Sequence, residues 1–550
     1  MGKKKAIAEN KKERRLGNNL AWLLLVAGVL VIAAIRIRLL GCPLERDEGE
    51  FAYMGQLMLH GIPPYRIAAN MKLPGIYAVY ALIMAVFGRS ITGVHLGLLV
   101  FNLAAVVMVF ILGRRLFDPL TGAVAGVSYG ALSLGHGVLG LSAHATQFVT
   151  FFALWGLLLL MRALDSGRLK TYFASGILFG IAFLMKQPGL VFALFAVFYV
   201  IWRETRRRDA AWKTCLSKTG ILLVGTALPF GITCLSLWLL GVFPRFWFWT
   251  FRYAMQYGGE VPFSLGLTIF WRTAAGVIQD AYPLWALALA GAVILLWFKE
   301  NRSRAVFVFG LLAFSFAAVC PGMYFRPQYF VVILPAVALL VGVAVAGTAR
   351  ALEGNKRWVL VKAMPWAVLG AALAYPFGVQ RDVFFKLNPA QVSRSIYTGN
   401  PFPEAVVLGK YLRSHTTPAD TIAVLGSEPE IYFYSDRHSA TDYIYTYALV
   451  EDQKFAKAMQ SELINQVQSA KPKYIVWVQT SASWTPRPGF DPRIFHWAGS
   501  YLSKDYHLEG VVIPEPDPAN SVYAWGREMR DYPPVDPGNY LLVYRRKPGI

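Results

Sequence analysis

The chain has 550 residues, of which 56% are hydrophobic and only 16% are charged, and its formal net charge is +22. A soluble protein carries about 25% charged residues, so this composition excludes an ordinary water-soluble fold. The apolar residues form long runs close to the ~20 residues that cross the hydrocarbon of a bilayer. The sequence therefore predicts a polytopic α-helical membrane protein.

The predicted elements begin with a basic tail, residues 1–19, and an apolar span at 20–35. Further spans are predicted at about 92–112, 119–141, 145–163, 172–186, 188–202, 217–240, 279–298, 305–320, 327–347 and 358–378. If the segment 72–88 lies in the interface rather than crossing, all basic loops fall on the side of the N-terminus, as the positive-inside bias requires. This arrangement gives about eleven spans, and it explains the basic residues without nucleic-acid binding.

The same arrangement predicts a bacterial-type plasma-membrane protein with a cytoplasmic N-terminus and outer segments at 41–91, 241–278 and the C-terminus. The aromatic segment 243–259 is predicted to be a second interfacial helix. From about residue 398 the composition becomes polar, with a helical stretch at 451–470 and alternating apolar runs at 421–426, 474–478 and 540–544. Such alternation, bounded by turn residues, is typical of strands. We therefore predict a cytoplasmic tail (1–19), a transmembrane domain (20–397) and an extracytoplasmic soluble α/β domain (398–550).

Several ionisable residues fall at the predicted outer ends of the spans: Asp47, Glu48, Glu50, Lys72, His144, Lys186 and Arg326. Charges at this depth are costly in lipid and mark candidate functional sites. Each one alone is also compatible with a solvated loop residue or an anchor that snorkels to the headgroups. That solvated interpretation fits Glu45 and Glu50 best.

Together these cations and carboxylates suggest a site that binds a phosphate group and removes a proton. Lys and Arg would hold the anionic head of a polyprenyl phosphate and would stabilise the phosphate as a leaving group. A carboxylate would take a proton from an acceptor hydroxyl as it attacks a sugar carbon. The two roles describe glycosyl transfer from a lipid-phosphate sugar.

Four stretches in chain order carry a family resemblance: the Asp47–Glu48 pair followed by "MLHGIPPY", then "KLPGIYAVYALIMAVFG", "FGIAFLMKQPGLVF" and "FRPQYFVVILPAVALL". They resemble the GT-C glycosyltransferases of the protein-mannosyltransferase and aminoarabinose-transferase type, families 39 and 83. The resemblance covers most of residues 15–380. It implies a GT-C fold with the active site in the outer loop 41–91 of a transmembrane catalytic domain.

The resemblance also implies roles for single residues. Asp47 is the expected catalytic base, and Glu48 would orient the acceptor or support Asp47. The expected contacts of the donor phosphate are Lys72, Arg326, Tyr329 and Lys186, although Lys186 could instead pair with a helix end. The candidates for binding sugar or acceptor are His144, Tyr65 and Gln328, and His144 could instead be a helix-packing residue.

Some members of this family place a Glu immediately before the lysine and hold a metal with it, whereas this chain has Met71 there. We therefore assign no metal site and no cofactor, and leave a divalent metal open. The expected function is inverting transfer of a sugar from a polyprenyl-phosphate donor to a glycolipid, polysaccharide or protein acceptor on the outer face. The alternatives are a transporter or flippase of polyprenyl-linked glycans, which usually has repeated halves around a midplane site, and a glycan polymerase or ligase. The chain has no D-x-D triplet of the kind that nucleotide-sugar enzymes use.

Overall fold

A computed structural model describes residues 2–207, 212–297, 302–353, 359–533 and 538–549. The contacts within it divide the chain into two compact units. The helical unit consists of residues 1–39, 96–233 and 258–386. The sheet unit consists of residues 40–95, 234–257 and 387–550.

The helices are numbered in chain order. They are α1 (Gly2–Arg38), α2 (Arg46–Leu59), α3 (Pro74–Phe87), α4 (Ile91–Leu116), α5 (Pro119–Leu132), α6 (Ala145–Ser166), α7 (Leu169–Met185), α8 (Leu190–Thr205), α9 (Trp212–Leu239), α10 (Phe243–Trp247), α11 (Ala254–Gly258), α12 (Phe263–Gln279), α13 (Tyr282–Trp297), α14 (Arg302–Val319), α15 (Leu334–Glu353), α16 (Val359–Val379), α17 (Pro389–Ile396), α18 (Phe402–His415), α19 (Glu430–Ser435), α20 (Tyr447–Val450), α21 (Ala456–Ala470), α22 (Ser481–Trp484) and α23 (Arg493–Asp505). A π-helical segment, Phe248–Tyr253, joins α10 to α11, so the predicted helix at 243–259 is helical from Phe243 to Gly258.

Within the described residues, eight helices are long and apolar enough to cross a membrane, or nine if Phe243–Gly258 and Phe263–Gln279 form one broken span. Three further apolar helices are shorter: Pro74–Phe87, Leu169–Met185 and Tyr282–Trp297. The chain is therefore a multi-pass membrane protein, and the predicted fold class is confirmed. The count of about eleven spans stays a prediction, as does the interfacial position of α3.

The structure differs from the predicted spans in two places. Helix α5 ends at Leu132 rather than near residue 141, because the chain after Ser133 turns through a 3-10 segment, His136–Val138, and Leu139 then takes a left-handed φ of 50°. Helix α12 lies in a stretch that the sequence left without an element. Helix α12 is amphipathic, with its polar and apolar residues on different faces. A search for long apolar runs does not detect an amphipathic helix.

Close backbone approaches and buried cations hold the helical unit together. A Cβ atom on Gly113 would lie 2.8 Å from the Cα atom of Gly122, so α4 and α5 touch through their glycines, as helices in membranes commonly do. Arg36 is only 4% exposed. Its guanidinium donates to the Asn102 side chain (3.2 Å) and to the Ser133 carbonyl (3.3 Å), which joins α1 to α4 and α5.

The sheet unit contains six strands: β1 (Thr421–Leu425), β2 (His438–Ser439), β3 (Tyr474–Gln479), β4 (Tyr506–Ile513), β5 (Val522–Trp525) and β6 (Tyr540–Arg546). Their order is β2-β1-β3-β6-β4-β5, with β2, β1 and β3 parallel and the remaining pairs antiparallel. The three predicted strands correspond to β1, β3 and β6, and the predicted helix corresponds to α21. The predicted C-terminal α/β fold is thus confirmed.

Candidate active site

The acidic stretch after the first span forms the N-terminus of helix α2. Glu45 is the N-cap, and its carboxylate accepts a hydrogen bond from the Glu48 backbone N–H (2.9 Å), while the Glu48 carboxylate accepts one from the Glu45 N–H (3.2 Å). This reciprocal capping box satisfies two backbone donors that the first turn leaves without helical partners. Burial, then the neighbouring carboxylates of Asp47 and Glu48, raise the pKa of Glu45 well above its usual value. The expectation that Glu45 is a solvated loop residue is therefore wrong.

Asp47 lies in the first turn of α2 and keeps 26% of its side chain exposed. Its Oδ1 atom is 3.1 Å from the Lys72 ammonium nitrogen and accepts a hydrogen bond from the Tyr445 hydroxyl, also at 3.1 Å. The N-terminal end of a helix favours a negative charge at this position. Asp47 is thus an oriented carboxylate that solvent, and therefore a substrate, can reach.

Lys72 precedes helix α3 and is held from two sides besides its ion pair. Its ammonium group is 5.3 Å from the centroid of the Phe51 ring. Its backbone carbonyl accepts a hydrogen bond from the Tyr65 hydroxyl (2.7 Å). Tyr65 is fully buried, with φ at 68°, so the structure gives it a positioning contact to Lys72. A role for Tyr65 in binding sugar stays a prediction.

Glu50 is fully buried directly behind this pair. Its Oε1 atom accepts a hydrogen bond from the Tyr77 hydroxyl (2.7 Å), and its Oε2 atom accepts one from the Asn70 amide (2.9 Å). Burial raises the pKa of Glu50 to about 7, although the Lys72 cation opposes the shift. The expectation of a solvated Glu50 is also wrong.

Glu48 faces the interior of the sheet unit. Its Oε1 atom is 3.1 Å from Nε2 of His95, whose Nδ1 is 3.0 Å from the Leu40 carbonyl oxygen. A carbonyl can only accept, so Nδ1 carries a proton, and one further proton must lie between Nε2 and the Glu48 carboxylate. Glu48 is 1% exposed, which favours a role in supporting α2 over direct contact with an acceptor.

Helix α2 also contacts residues in the C-terminal part of the chain, and the sequence did not predict these contacts. Arg46 donates through Nη2 to Glu428 and to Asn400, each at 3.0 Å, and through Nε to the Ser427 carbonyl. Glu428 is fully buried and also accepts a hydrogen bond from the Ser483 hydroxyl (2.7 Å). The partners of Arg46 lie more than 350 positions away along the chain. No local sequence pattern therefore predicts them.

A second group of predicted residues lies in the helical unit. The Lys186 ammonium, which follows α7, is 3.5 Å from the centroid of the Tyr329 ring. Both residues line one small cleft together with Thr146, at the start of α6. The Thr146 hydroxyl donates to the Gln328 carbonyl (2.7 Å), which fixes the segment carrying Tyr329. The structure therefore brings Lys186 and Tyr329 into direct contact.

The remaining predicted residues of this unit lie at the ends of helices. Arg326 is exposed, with its guanidinium 5.8 Å from the centroid of the Tyr324 ring. His144 is buried immediately before α6, and Gln328 is half-buried in the 3-10 turn before α15. Their roles in binding phosphate or sugar stay predictions.

The position before Lys72 does not suit a hard divalent cation. Met71 offers a thioether there, whereas such ions prefer oxygen ligands. Its backbone N–H donates to the Asn70 side chain (2.6 Å). No step of the chemistry below therefore uses a metal at this position.

The chain matches one protein family and several individual proteins in sequence. Residues 72–231 match the family described as dolichyl-phosphate-mannose-protein mannosyltransferase. An undecaprenyl phosphate-alpha-4-amino-4-deoxy-L-arabinose arabinosyl transferase of Pseudomonas aeruginosa is 28% identical over 387 residues, which is 66% of this chain and 64% of the relative. A second such transferase, from Pseudomonas fluorescens, is 25% identical over 56% of this chain and 53% of its own length. The chain thus matches less than two thirds of the length of these relatives.

Solved structures share the fold over nearly the whole chain. ArnT from Cupriavidus metallidurans, bound to undecaprenyl phosphate, aligns over 95% of this chain and 97% of its own, with a TM-score of 0.60 and 14% identity. The oligosaccharyltransferase AglB from Archaeoglobus fulgidus, in complex with an inhibitory peptide and a dolichol-phosphate, aligns over 94% of this chain and 75% of its own, with a TM-score of 0.53 and 14% identity. The predicted resemblance to the GT-C glycosyltransferases is thus confirmed by the sequence matches and by the shared fold.

Proposed function

We propose that the chain is an inverting glycosyltransferase that moves one sugar from a polyprenyl-phosphate donor to an acceptor hydroxyl at the outer face of the membrane. The observation that carries the proposal is the geometry of Asp47, a partly exposed carboxylate fixed by Lys72 and Tyr445. The names of the relatives support an undecaprenyl-phosphate-linked sugar as donor. The proposed acceptor is a hydroxyl group of a lipid, a glycan or a protein.

The proposed reaction is a single displacement at the anomeric carbon. The acceptor O–H bond breaks as its oxygen attacks the sugar, the proton passes to Asp47, and the bond to the phosphate oxygen breaks. The electron pair leaves with the polyprenyl phosphate. One base is sufficient because no covalent enzyme intermediate forms in a single displacement.

Lys72 is the proposed contact of the leaving phosphate in the sheet unit. A cation there stabilises the charge that develops on the phosphate, so a separate general acid is not required. The Lys72 ammonium contacts Asp47 and is 19% exposed, which leaves it within reach of an anion. The family resemblance implies Lys186, Tyr329 and Arg326 as donor-phosphate contacts, and we keep these roles as proposals.

The test uses the purified full chain in lipid nanodiscs. Mass spectrometry of glycolipids and surface glycans from cells with and without the chain first identifies the sugar, as a shift of one sugar mass. Transfer is then measured from undecaprenyl phosphate carrying that sugar. We expect Asp47→Asn to lower kcat by about 1,000-fold, within the range for loss of a general base.

Glu515→Gln, a change of a carboxylate near the C-terminus, provides the control and should transfer at the rate of the unmodified chain. Donor binding by Asp47→Asn should persist, because Lys72 remains. Transfer at an undiminished rate by Asp47→Asn would contradict the proposed base. Movement of the intact lipid-linked glycan across the membrane, without any shift in acceptor mass, would favour a transporter.

A further inference from the structure

The helical unit contains a cleft that is lined by none of the residues proposed for sugar transfer. It lies between the end of α5, the turn that follows α5, the start of α13 and the end of α16. Its empty space is about 260 Å³, part of it open to solvent. A pocket that encloses a whole small molecule has roughly 300–1,000 Å³, so this cleft has the size to take one part of a larger molecule.

Two buried N–H donors line the cleft. Gln380 is only 7% exposed, and its Oε1 atom accepts a hydrogen bond from the His136 backbone N–H (2.8 Å), which fixes Nε2 as the opposite, donating end of the amide. Nε2 of Gln380 and Nε1 of Trp285 are both buried, and neither has a hydrogen-bond partner among the described residues. A buried donor without a partner is costly, so both donors require an acceptor atom in the cleft.

A carboxylate lies next to these donors. Asp280, which follows α12, accepts a hydrogen bond from the Gly137 backbone N–H through its Oδ2 atom. A Cβ atom on Gly135 would lie 3.9 Å from this Oδ2 atom and 4.0 Å from Nε2 of Gln380. The absence of a side chain at Gly135 therefore keeps space open beside an acceptor and a donor at once.

These polar groups restrict the chemistry of the ligand. A phosphate could accept from the two N–H donors, but the Asp280 carboxylate would repel its charge. An ammonium group would suit the carboxylate, but it has no lone pair for the donors. A hydroxyl group satisfies both, because it accepts from an N–H and donates to a carboxylate. The cleft therefore suits a neutral group that carries hydroxyls.

The position of the cleft indicates that these hydroxyls belong to a lipid. Helix α16 is long and apolar enough to cross a membrane, and it ends at Val379, directly before Gln380. The end of such a helix lies near the depth of the lipid headgroups. Val379 and Tyr282, at the start of α13, are both exposed, so surface suited to an apolar tail lies next to the polar groups along the chain.

We propose that this cleft binds the hydroxyl-bearing headgroup of a membrane lipid, with Gln380 and Trp285 as donors and Asp280 as acceptor. Sugar and glycerol headgroups both offer this chemistry. The binding involves no transfer of a sugar, so the proposal is independent of the proposed function.

The test measures lipid binding to the purified full chain by native mass spectrometry in lauryldimethylamine oxide, a detergent without hydroxyl groups. The probes are monoglucosyl diacylglycerol, phosphatidylglycerol and phosphatidylethanolamine with identical acyl chains. We expect a hydroxyl-bearing lipid to bind about five-fold more tightly than phosphatidylethanolamine, the effect of about one neutral hydrogen bond. Preference for the glucosyl lipid would identify a sugar as the ligand, and preference for phosphatidylglycerol would identify a glycerol headgroup.

Two variants locate the binding in this cleft. Trp285→Phe removes one donor and keeps an aromatic ring, and Gly135→Ala fills the space beside the other two polar groups at an ordinary φ of −56°. Each should weaken binding of the preferred lipid about five-fold. The controls are Trp271→Phe, at an exposed tryptophan of α12, and Gly370→Ala, where a Cβ atom meets nothing within 4 Å. Both should bind like the unmodified chain, and thermal unfolding verifies that every variant folds.

Equal binding of the three lipids by the unmodified chain would overturn the proposal, and this is the result expected if the cleft holds water only. A lipid preference that both Trp285→Phe and Gly135→Ala retain would also overturn it. A chain that shows the preference, loses it in these variants and transfers no sugar would overturn the proposed function alone.

Discussion

The four carboxylates at the start of α2 differ in what each one faces. Glu45 caps the helix, Glu48 faces His95, and Glu50 is enclosed by Tyr77 and Asn70. These three are at most 6% exposed. Asp47 alone among the four combines a fixed orientation with access to solvent, and this combination is what a base acting on an incoming hydroxyl requires.

At the residue scale, the contact between Lys72 and Asp47 leads to a prediction. Lys72→Met removes the ion pair that orients Asp47, and it also removes the proposed charged contact to the donor phosphate. Both effects should appear, as a donor KM raised by about tenfold and a kcat lowered by about tenfold, the size expected for one charge-assisted hydrogen bond. Steady-state kinetics of the purified chain measure both constants.

Lys410→Met, at an exposed lysine of α18, supplies the matched control and should change neither constant. A higher donor KM with unchanged kcat would show that Lys72 binds the donor without orienting Asp47.

The motifs placed Asp47 and Lys72 in one outer loop, and they gave no sign of the partners that are distant in sequence. Asp47 and Lys72 are 25 positions apart and pair as ion partners, in keeping with two motifs that share a predicted outer loop. Tyr445 is 398 positions from Asp47, so only the folded sheet unit shows that it holds this carboxylate. The expectation for Glu50 failed for a related reason, since its partners Tyr77 and Asn70 are 27 and 20 positions away along the chain.

At the element scale, the position of α2 depends on a close approach to α19. A Cβ atom on Gly49 would lie 2.6 Å from the Glu430 Cβ and 2.7 Å from the Glu430 backbone nitrogen. Backbone cannot yield as a flexible side chain can, so a larger residue at Gly49 must push the helix away. Asp47, two residues earlier on α2, would move with it.

We therefore predict that Gly49→Ala destabilises the chain by about 1–3 kcal/mol, the usual cost of overpacking, and lowers kcat through the displaced Asp47. Gly220→Ala is the matched control, since that glycine lies in helix α9 and a Cβ atom there would meet nothing within 4 Å. It should stabilise the chain by about 0.5–1 kcal/mol through helix propensity. Thermal unfolding measures the stability of both variants, and the transfer assay measures their kcat. Equal stability and equal kcat in the two variants would refute the packing argument.

Elements with a uniform pattern were predictable, and irregular ones were not. Strands β1 and β3 are short, almost completely buried runs of mainly apolar residues, so the sequence marks them clearly as strands. Strand β4 was missed because its register shifts between Leu508 and Gly510, where the Trp525 ring packs on the glycine. That irregularity interrupts the two-residue period on which strand prediction depends.

At the scale of the whole molecule, the sheet unit gathers three separate stretches of chain: 40–95, 234–257 and 387–550. Arg46 is one of its central links, because it joins α2 to the buried Glu428. Removal of one partner from a buried ion pair commonly costs about 3–5 kcal/mol. Composition changes only near residue 398, so it predicts where polar sequence begins but not that residues 40–95 pack with it.

The orientation of the chain in the membrane is the prediction that belongs to this scale. The net charge of +22 is concentrated in loops that the positive-inside bias places in the cytoplasm, which puts the C-terminal segment outside. Ser414 is exposed in α18, and Ser166 is exposed at the end of α6 beside the basic loop of Arg168 and Lys170. A cysteine at each position therefore reports one side of the membrane.

In a chain whose four cysteines are replaced by alanine, we expect a membrane-impermeant maleimide to label Ser414→Cys in intact spheroplasts. Ser166→Cys should be labelled only after permeabilisation, and mass spectrometry of the purified chain measures both. The opposite pattern would place the sheet unit, with Asp47, in the cytoplasm. Sugar transfer from a donor at the outer face would then be impossible at this site, so the labelling tests the proposed function independently of any activity measurement.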